Sequence, residues 1–188
     1  MRKLKLQMQL SLDGFVAGPN SEMDWITWQL DEELKYYIQE ITASIDHILL
    51  GRKLAEGFIS SWEGRAANPD ANDTFAQQMV NTPKLVFSEK LNSITCNNAE
   101  LIQGDLTEQI NQLKQKPGGD LMAYGGAGFA AALISRNLID GYYLFINPAA
   151  IGKGKGIFNQ LHKTLNLKLI KATSFECGIT AMHYQPAL

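Results

Sequence analysis

The sequence predicts an α/β chain in three layers (α/β/α), with helices on both sides of a mainly parallel sheet that ends in an antiparallel C-terminal edge. Three observations predict it. Short apolar runs of strand length close on glycine and lead into helical periodicity, as at 45–50 before Gly51 and at 121–124 before Gly125-Gly126-Ala127-Gly128. Strand and helix then alternate along most of the chain, the pattern of parallel strands joined by crossover helices. The last two apolar runs, 165–175 and 179–184, have no helix between them and turn near Cys177-Gly178, which reads as a hairpin.

The elements follow in order. Leu4, Leu6, Met8 and Leu10 alternate with polar residues, giving a first strand over 3–11. The loop after it, from Ser11 to Asn20, carries turn residues yet holds Phe15, Val16 and Ala17, too apolar a core for a solvated tether. Trp25 and Trp28 precede a helix whose apolar face is Leu34, Tyr37, Ile38, Ile41 and Ile45, with Asp31, Glu32 and Glu33 in its first turn. Residues 45–50 form a strand, 53–60 a short helix, 61–72 an irregular loop with Gly64 and Pro69, and 73–81 a helix. Strands are expected at 84–88 and around Leu101-Ile102. Asp105 with Glu108 then marks the start of a helix over 106–116, which Pro117-Gly118-Gly119 stops. A strand at 121–124 and an alanine-rich helix over 129–134 come next, then a strand at 139–146. The Gly-Lys repeat at 151–156 reads as a mobile basic loop.

Composition bounds the function. At 188 residues with 45% hydrophobic content, the chain is expected to be one domain, 1–188, with a substantial core. A net charge of −2 supplies no basic field for nucleic acid or a membrane surface, so any anion site must be local. Cys96 and Cys177 follow no secretory start and have no metal spacing, and His47, His162 and His183 are scattered. The expectation is a cytoplasmic protein with free thiols and no metal.

Three strand ends carry residues suited to anions: Gly51-Arg52-Lys53, Ser88 with Lys90, and Gly125-Gly126-Ala127-Gly128. A strand that breaks on glycines into a helix presents free backbone N–H groups and the positive end of the dipole, which suits a phosphate or diphosphate. Arginine offers a planar fork to a phosphomonoester. Together they favour an extended dinucleotide across the carboxyl ends of the strands, with tight packing turns as the alternative. No Gly-Lys-Ser/Thr follows the glycines, which excludes a Walker loop, and the segment lies too late in the chain for the usual Rossmann fingerprint.

The order of Ser11-Leu12-Asp13-Gly14-Phe15-Val16-Ala17-Gly18, Gly51-Arg52-Lys53, Tyr124-Gly125-Gly126-Ala127-Gly128 and Ile151-Gly152-Lys153-Gly154 resembles the dihydrofolate reductase superfamily. Within it, the chain is similar to the C-terminal reductase domain of the bifunctional riboflavin-biosynthesis deaminase/reductase. The resemblance implies a dihydrofolate reductase-like sheet and NADPH as cofactor. Gly51, Arg52 and Lys53 would hold phosphates, Ser88 and Lys90 would lie near the adenosine 2′-phosphate, and Gly125, Gly126, Ala127, Gly128 and Phe129 would take the diphosphate. Val16 and Ala17 would border the nicotinamide. Leu54 stands where the family often has threonine.

The implied activity is NADPH-dependent hydride transfer to a small pyrimidine-, pterin- or flavin-like compound, a 5-amino-6-(5-phosphoribosylamino)uracil reductase-like reaction being one form. Phe15, Trp25 and Trp28 are the expected substrate walls, and Asp31 the candidate proton source, with a helix cap as its other role. A non-catalytic nucleotide-binding or assembly protein on the same fold is the alternative. Apolar residues towards the C-terminal edge (Tyr142, Tyr143, Phe145, Ile170, Phe175) and the habit of the resembled branch imply a homodimer.

Overall fold

The computed structural model describes residues 1–68 and 73–187. The chain runs β1 (Leu4–Leu10), α1 (Glu32–Thr42), β2 (Ile45–Gly51), α2 (Arg52–Ala66), α3 (Thr74–Asn81), β3 (Lys84–Phe87), β4 (Ala99–Ile102) and α4 (Leu106–Gln115). It continues through β5 (Asp120–Gly125), α5 (Ala127–Ser135), β6 (Gly141–Ile146), β7 (Leu167–Ser174) and β8 (Thr180–Pro186). One sheet of eight strands results, in the order β4-β3-β2-β5-β1-β6-β8-β7. The first six strands are parallel to their neighbours, and β8 turns antiparallel to both β6 and β7. The α/β class and the antiparallel C-terminal edge are as the sequence predicts.

Strand alternation sends side chains to two cores. Leu4, Leu6, Met8 and Leu10 of β1 join Ile110, Leu133 and Ile134 of α4 and α5 on one face. On the other face Ile48, Leu50, Met122 and Phe145 meet Leu34, Tyr37, Ile38 and Ile41 of α1 and Ile59 of α2. Each such side chain contributes about 1.5–3 kcal/mol by leaving water. The apolar stripe of α1 is thus what fixes its direction over the sheet.

Two expectations need correction here. Residues 61–66 are helical, because α2 extends to Ala66; Trp62 packs edge-on against Phe58 and Phe75, and Arg65 lies over its ring. Those contacts outweigh the cost of about 1 kcal/mol that glycine carries in a helix at Gly64. Pro69 and Asn72 of the expected loop lie outside the described residues. The expected exposed edge is also narrower than its sequence suggests. Tyr142 and Phe145 are buried within the chain, because β6 sits between β1 and β8, and Phe175, in the β7–β8 turn, is buried against Tyr37 of α1; Tyr143 stacks on His183 at 4.2 Å. Leu169 and Ile170 of the edge strand β7 stay about half exposed, at 50% and 44%.

Candidate active site

The carboxyl ends of β2 and β5 are neighbours, with Leu50 paired to Gly125, and α2 and α5 start immediately beyond them. Asp31, Asp73 and Asp105 cap α1, α3 and α4, accepting the N–H groups of Leu34, Ala76 and Glu108. The caps of α2 and α5 are instead Gly51 and Gly126, which offer no side-chain acceptor. Two helix N-termini therefore keep open N–H groups side by side, where their dipoles add.

Each glycine has its own reason. Gly125 sits at φ +100°, where an L side chain is strained. A Cβ on Gly51 would lie 2.6 Å from Phe129 Cβ, so the end of β2 touches α5 only because that residue is glycine. At Gly126 the nearest atom to an added Cβ is Leu54 Cβ at 3.9 Å, and at Gly128 nothing lies within 4 Å. A cradle open towards the outside results, lined by backbone N–H groups and fit in shape and charge for a diphosphate.

Arg52 and Lys53 occupy the first turn of α2, and neither forms an ion pair among the described residues. Phe129 stacks on Phe87 at 5.1 Å, bridging α5 to the end of β3. Just past Phe87, the Ser88 hydroxyl accepts the N–H groups of Lys90 and Leu91 at 3.0 Å each, so it shapes the turn that presents Lys90. Its own O–H is still available as a donor.

The loop after β1 closes the next flank. Val16 and Ala17 are buried, and Ala17 pairs with Lys155 in an isolated bridge. The Asp13 carboxylate accepts the N–H groups of Ile151 and Gly152, and Ser11 Oγ donates to it. Gly154 is required, since a Cβ there would meet Ala17 O at 2.3 Å. The stretch 151–156 is thus tied down, which corrects the expectation of a mobile loop: a carboxylate distant in sequence caps its amides.

The hydroxyl of Ser11 first, then those amides, hold the Asp13 carboxyl below the usual range. With a depressed pKa, the clamp is present at neutral pH and is lost only as pH falls through that lowered value. Asp13→Ala is expected to speed hydrogen exchange of the Ile151 and Gly152 amides by more than tenfold at pH 7; unchanged protection would refute the clamp.

The third flank is built on Asn147, which is fully buried after β6. Its Oδ1 accepts Thr27 N–H at 2.9 Å, and its Nδ2 donates to Gln9 Oε1 at 2.8 Å. That pins the tryptophan segment against the sheet. Trp25 is half buried, with a shielded Nε1–H that has no acceptor among the described residues, whereas Trp28 is 67% exposed. Phe15 is half buried beside Gly154.

Asp31 accepts Cys177 N–H at 3.0 Å as well as Leu34 N–H at 2.8 Å, tying α1 to the β7–β8 turn. These bonds, that to Cys177 foremost, lower its pKa. The charged form is favoured, opposite to what a proton donor at neutral pH needs.

Asp13, Asn147 and Gln7 are the polar positions that sequence reasoning missed. Asn147 before Pro148, and a glutamine inside an apolar strand, were the available signals. Gln7 is buried on β1, and its Oε1 has no partner among the described residues.

Residues 2–181 match the family described as the RibD C-terminal domain. The uncharacterised protein YyaP of Bacillus subtilis (strain 168) is 31% identical over 183 residues, which cover 97% of this chain and 94% of YyaP. Among solved structures, a putative riboflavin biosynthesis protein from Shewanella sp. PV-4 superposes with a TM-score of 0.73 at 19% identity, covering 100% of both chains. The diaminohydroxyphosphoribosylaminopyrimidine deaminase/5-amino-6-(5-phosphoribosylamino)uracil reductase of Thermotoga maritima gives 0.71 at 16%, covering 99% of this chain and 57% of that one. Dihydrofolate reductase from Enterococcus faecalis, complexed with NADP(H), gives 0.62 at 14%, covering 99% and 97%. These likenesses establish a dihydrofolate reductase-like fold, and on its match over nearly its full length the chain belongs to the RibD C-terminal domain family.

Proposed function

We propose that the protein is an NADPH-dependent reductase of a small heterocycle of pyrimidine, pterin or flavin type. The observation that carries this reading is the pair of uncapped helix N-termini at Gly51 and Gly126, flanked by Arg52 and Lys53. NADPH, when bound, supplies the hydride; the chain supplies position and exclusion of water. The N–H groups at the start of α2 and α5 (those of Ala127, Gly128 and Phe129 on α5) hold the diphosphate. Arg52, with Lys90 and the Ser88 hydroxyl across the Phe87–Phe129 stack, favours the extra 2′-phosphate. Val16 and Ala17, fixed through Lys155 and Asp13, wall the nicotinamide end, and Phe15 and Trp25 border the substrate. Asp31, held charged as a cap, orients α1, so the proton for the reduced product arrives through water.

The test is a calorimetric titration. NADPH is expected to bind at least about tenfold more tightly than NADH, equivalent to about 1.4 kcal/mol. Equal affinities would remove the 2′-phosphate assignment. One second reading, a nucleotide-binding protein without turnover, is favoured by the geometry of Asp31, whose two carboxylate oxygens are taken up by the N–H groups of Leu34 and Cys177. It predicts NADPH binding with no oxidation across a panel of pyrimidines, pterins and flavins.

The edge strand β7 supports a homodimer, since it pairs only with β8 and Leu169 and Ile170 leave apolar surface on it. Light scattering is expected to give about twice the chain mass of 20.8 kDa. Ile170→Lys is expected to return the monomer; a monomeric parent protein would refute the dimer.

A further inference from the structure

Strand alternation in β6 sends Tyr142 and Leu144 into the core on the α4/α5 face, where Leu165, Leu167 and Tyr184 pack against the same cluster. Tyr142 is fully buried, and its hydroxyl is shielded with no hydrogen-bond partner among the described residues. Phenylalanine would fill the same space without that cost. A buried hydroxyl left unmatched within the chain calls for a partner from outside it.

Such a place exists beside it. Tyr142 lines an open cavity of about 300 Å³, together with Asn137 and Ile139 before β6, Lys163 and Leu165 before β7, and Asn166. Tyr142 pairs with Tyr184 and Leu167 with Pro186, so the cavity lies off the start of β6, at the opposite end of the sheet from Gly51 and Gly126. Its volume is at the small end for a ligand pocket.

The lining selects by charge. No carboxylate is among the described residues that line it, and the side chains of Asn137, Lys163 and Asn166 are engaged by no other described residue. Asp140 is the acid that acts on the Tyr142 hydroxyl, and it is already neutralised by Lys114 at 2.6 Å while accepting Leu4 N–H. Lys163 is therefore the unpaired charge of the wall. An ammonium, two carboxamides and a phenol all donate hydrogen bonds, which suits an acceptor-only carboxylate. Ile139 and Leu165 offer apolar surface to the rest of the ligand. Residues 163–166 carry no regular structure, so that side of the wall adjusts around a ligand without breaking a helix or strand.

We propose that this cavity binds a small organic carboxylate, its hydrocarbon body against Ile139 and Leu165 and its charge between Lys163 and the Tyr142 hydroxyl. The site is separate from the nucleotide cradle, and its test needs no NADPH.

The experiment titrates the intact protein with benzoate and follows backbone amide resonances by NMR, with benzamide as the uncharged probe of the same shape. Benzoate is expected to shift the amides of Ile139, Lys163 and Asn166 saturably, with a Kd of about 1 mM or lower, and to leave those of Ala127 and Gly128 in place. Benzamide is expected to bind about fivefold more weakly or worse. Lys163→Gln, at an exposed position, is expected to remove that difference. Tyr142→Phe is expected to weaken benzoate about fivefold while Tm stays at or above the parent's, since the variant loses an unpartnered buried hydroxyl. Should Tyr142→Phe not fold, the Lys163→Gln comparison decides. No saturable shift at those amides, as when water alone serves the hydroxyl, overturns the proposal. So does equal affinity for benzamide, or parent-like benzoate binding by either folded variant.

Discussion

Gly126→Val is expected to weaken NADPH binding by at least about a hundredfold, roughly 2.7 kcal/mol, in a protein that still folds. The backbone at Gly126 has φ −71° and ψ −172°, values open to any residue, and an added Cβ would find its nearest neighbour, Leu54 Cβ, at 3.9 Å. The turn therefore tolerates a side chain; the turn residue that requires glycine is Gly125, at φ +100°. What valine obstructs is the mouth between the two open helix N-termini. Its methyl groups would stand where a diphosphate must come within hydrogen-bond distance of backbone N–H groups. Calorimetry gives the affinity, and a melting curve within a few degrees of the parent's shows that the fold is intact. Normal NADPH affinity in this variant would place the diphosphate elsewhere.

Gly51→Val should act in the opposite way, on the fold first. Its Cβ would stand 2.6 Å from Phe129 Cβ and 3.2 Å from Phe129 Cγ, well inside van der Waals contact. Phe129 cannot swing aside freely, because its ring stacks on Phe87 and its Cβ is fixed by the first turn of α5. Overpacking of this kind costs about 3 kcal/mol, which for a chain of this size lowers Tm by roughly 6–12 °C. Scanning calorimetry decides it. A Tm equal to the parent's would mean that the junction of β2 and α5 has room for a side chain and would refute the close contact. The two glycines thus separate by experiment: in the proposed reading Gly126 keeps room for a ligand, whereas Gly51 keeps two elements in contact.

Much of the architecture is legible in local sequence. The alternation of Leu4, Leu6, Met8 and Leu10 defines β1, and the 3- and 4-residue spacing from Leu34 to Ile41 defines the buried face of α1. Asp105 caps α4 where its spacing to Glu108 predicts. The helix over 61–66 was not legible, because Gly64 argues against a helix and one of the contacts that sustain it, Phe75 on Trp62, comes from the next helix. The aromatic residues expected at an open edge were misassigned for a similar reason. Alternation says that Tyr142 and Phe145 face opposite sides of a strand, but not that strands cover β6 on both its edges.

By itself the sequence determined the fold class, the anion-suited strand ends at Gly51 and Gly126, and the cap position of Asp31, since each depends on residues within a few positions of one another. Only the tertiary structure decided that α2 and α5 begin side by side, that Asp13 clamps 151–152, and that Asn147 holds the tryptophan segment. Those relations join residues more than a hundred positions apart, or strands whose adjacency follows from sheet order, and the pairing of parallel strands through crossovers leaves no local periodicity from which to read them.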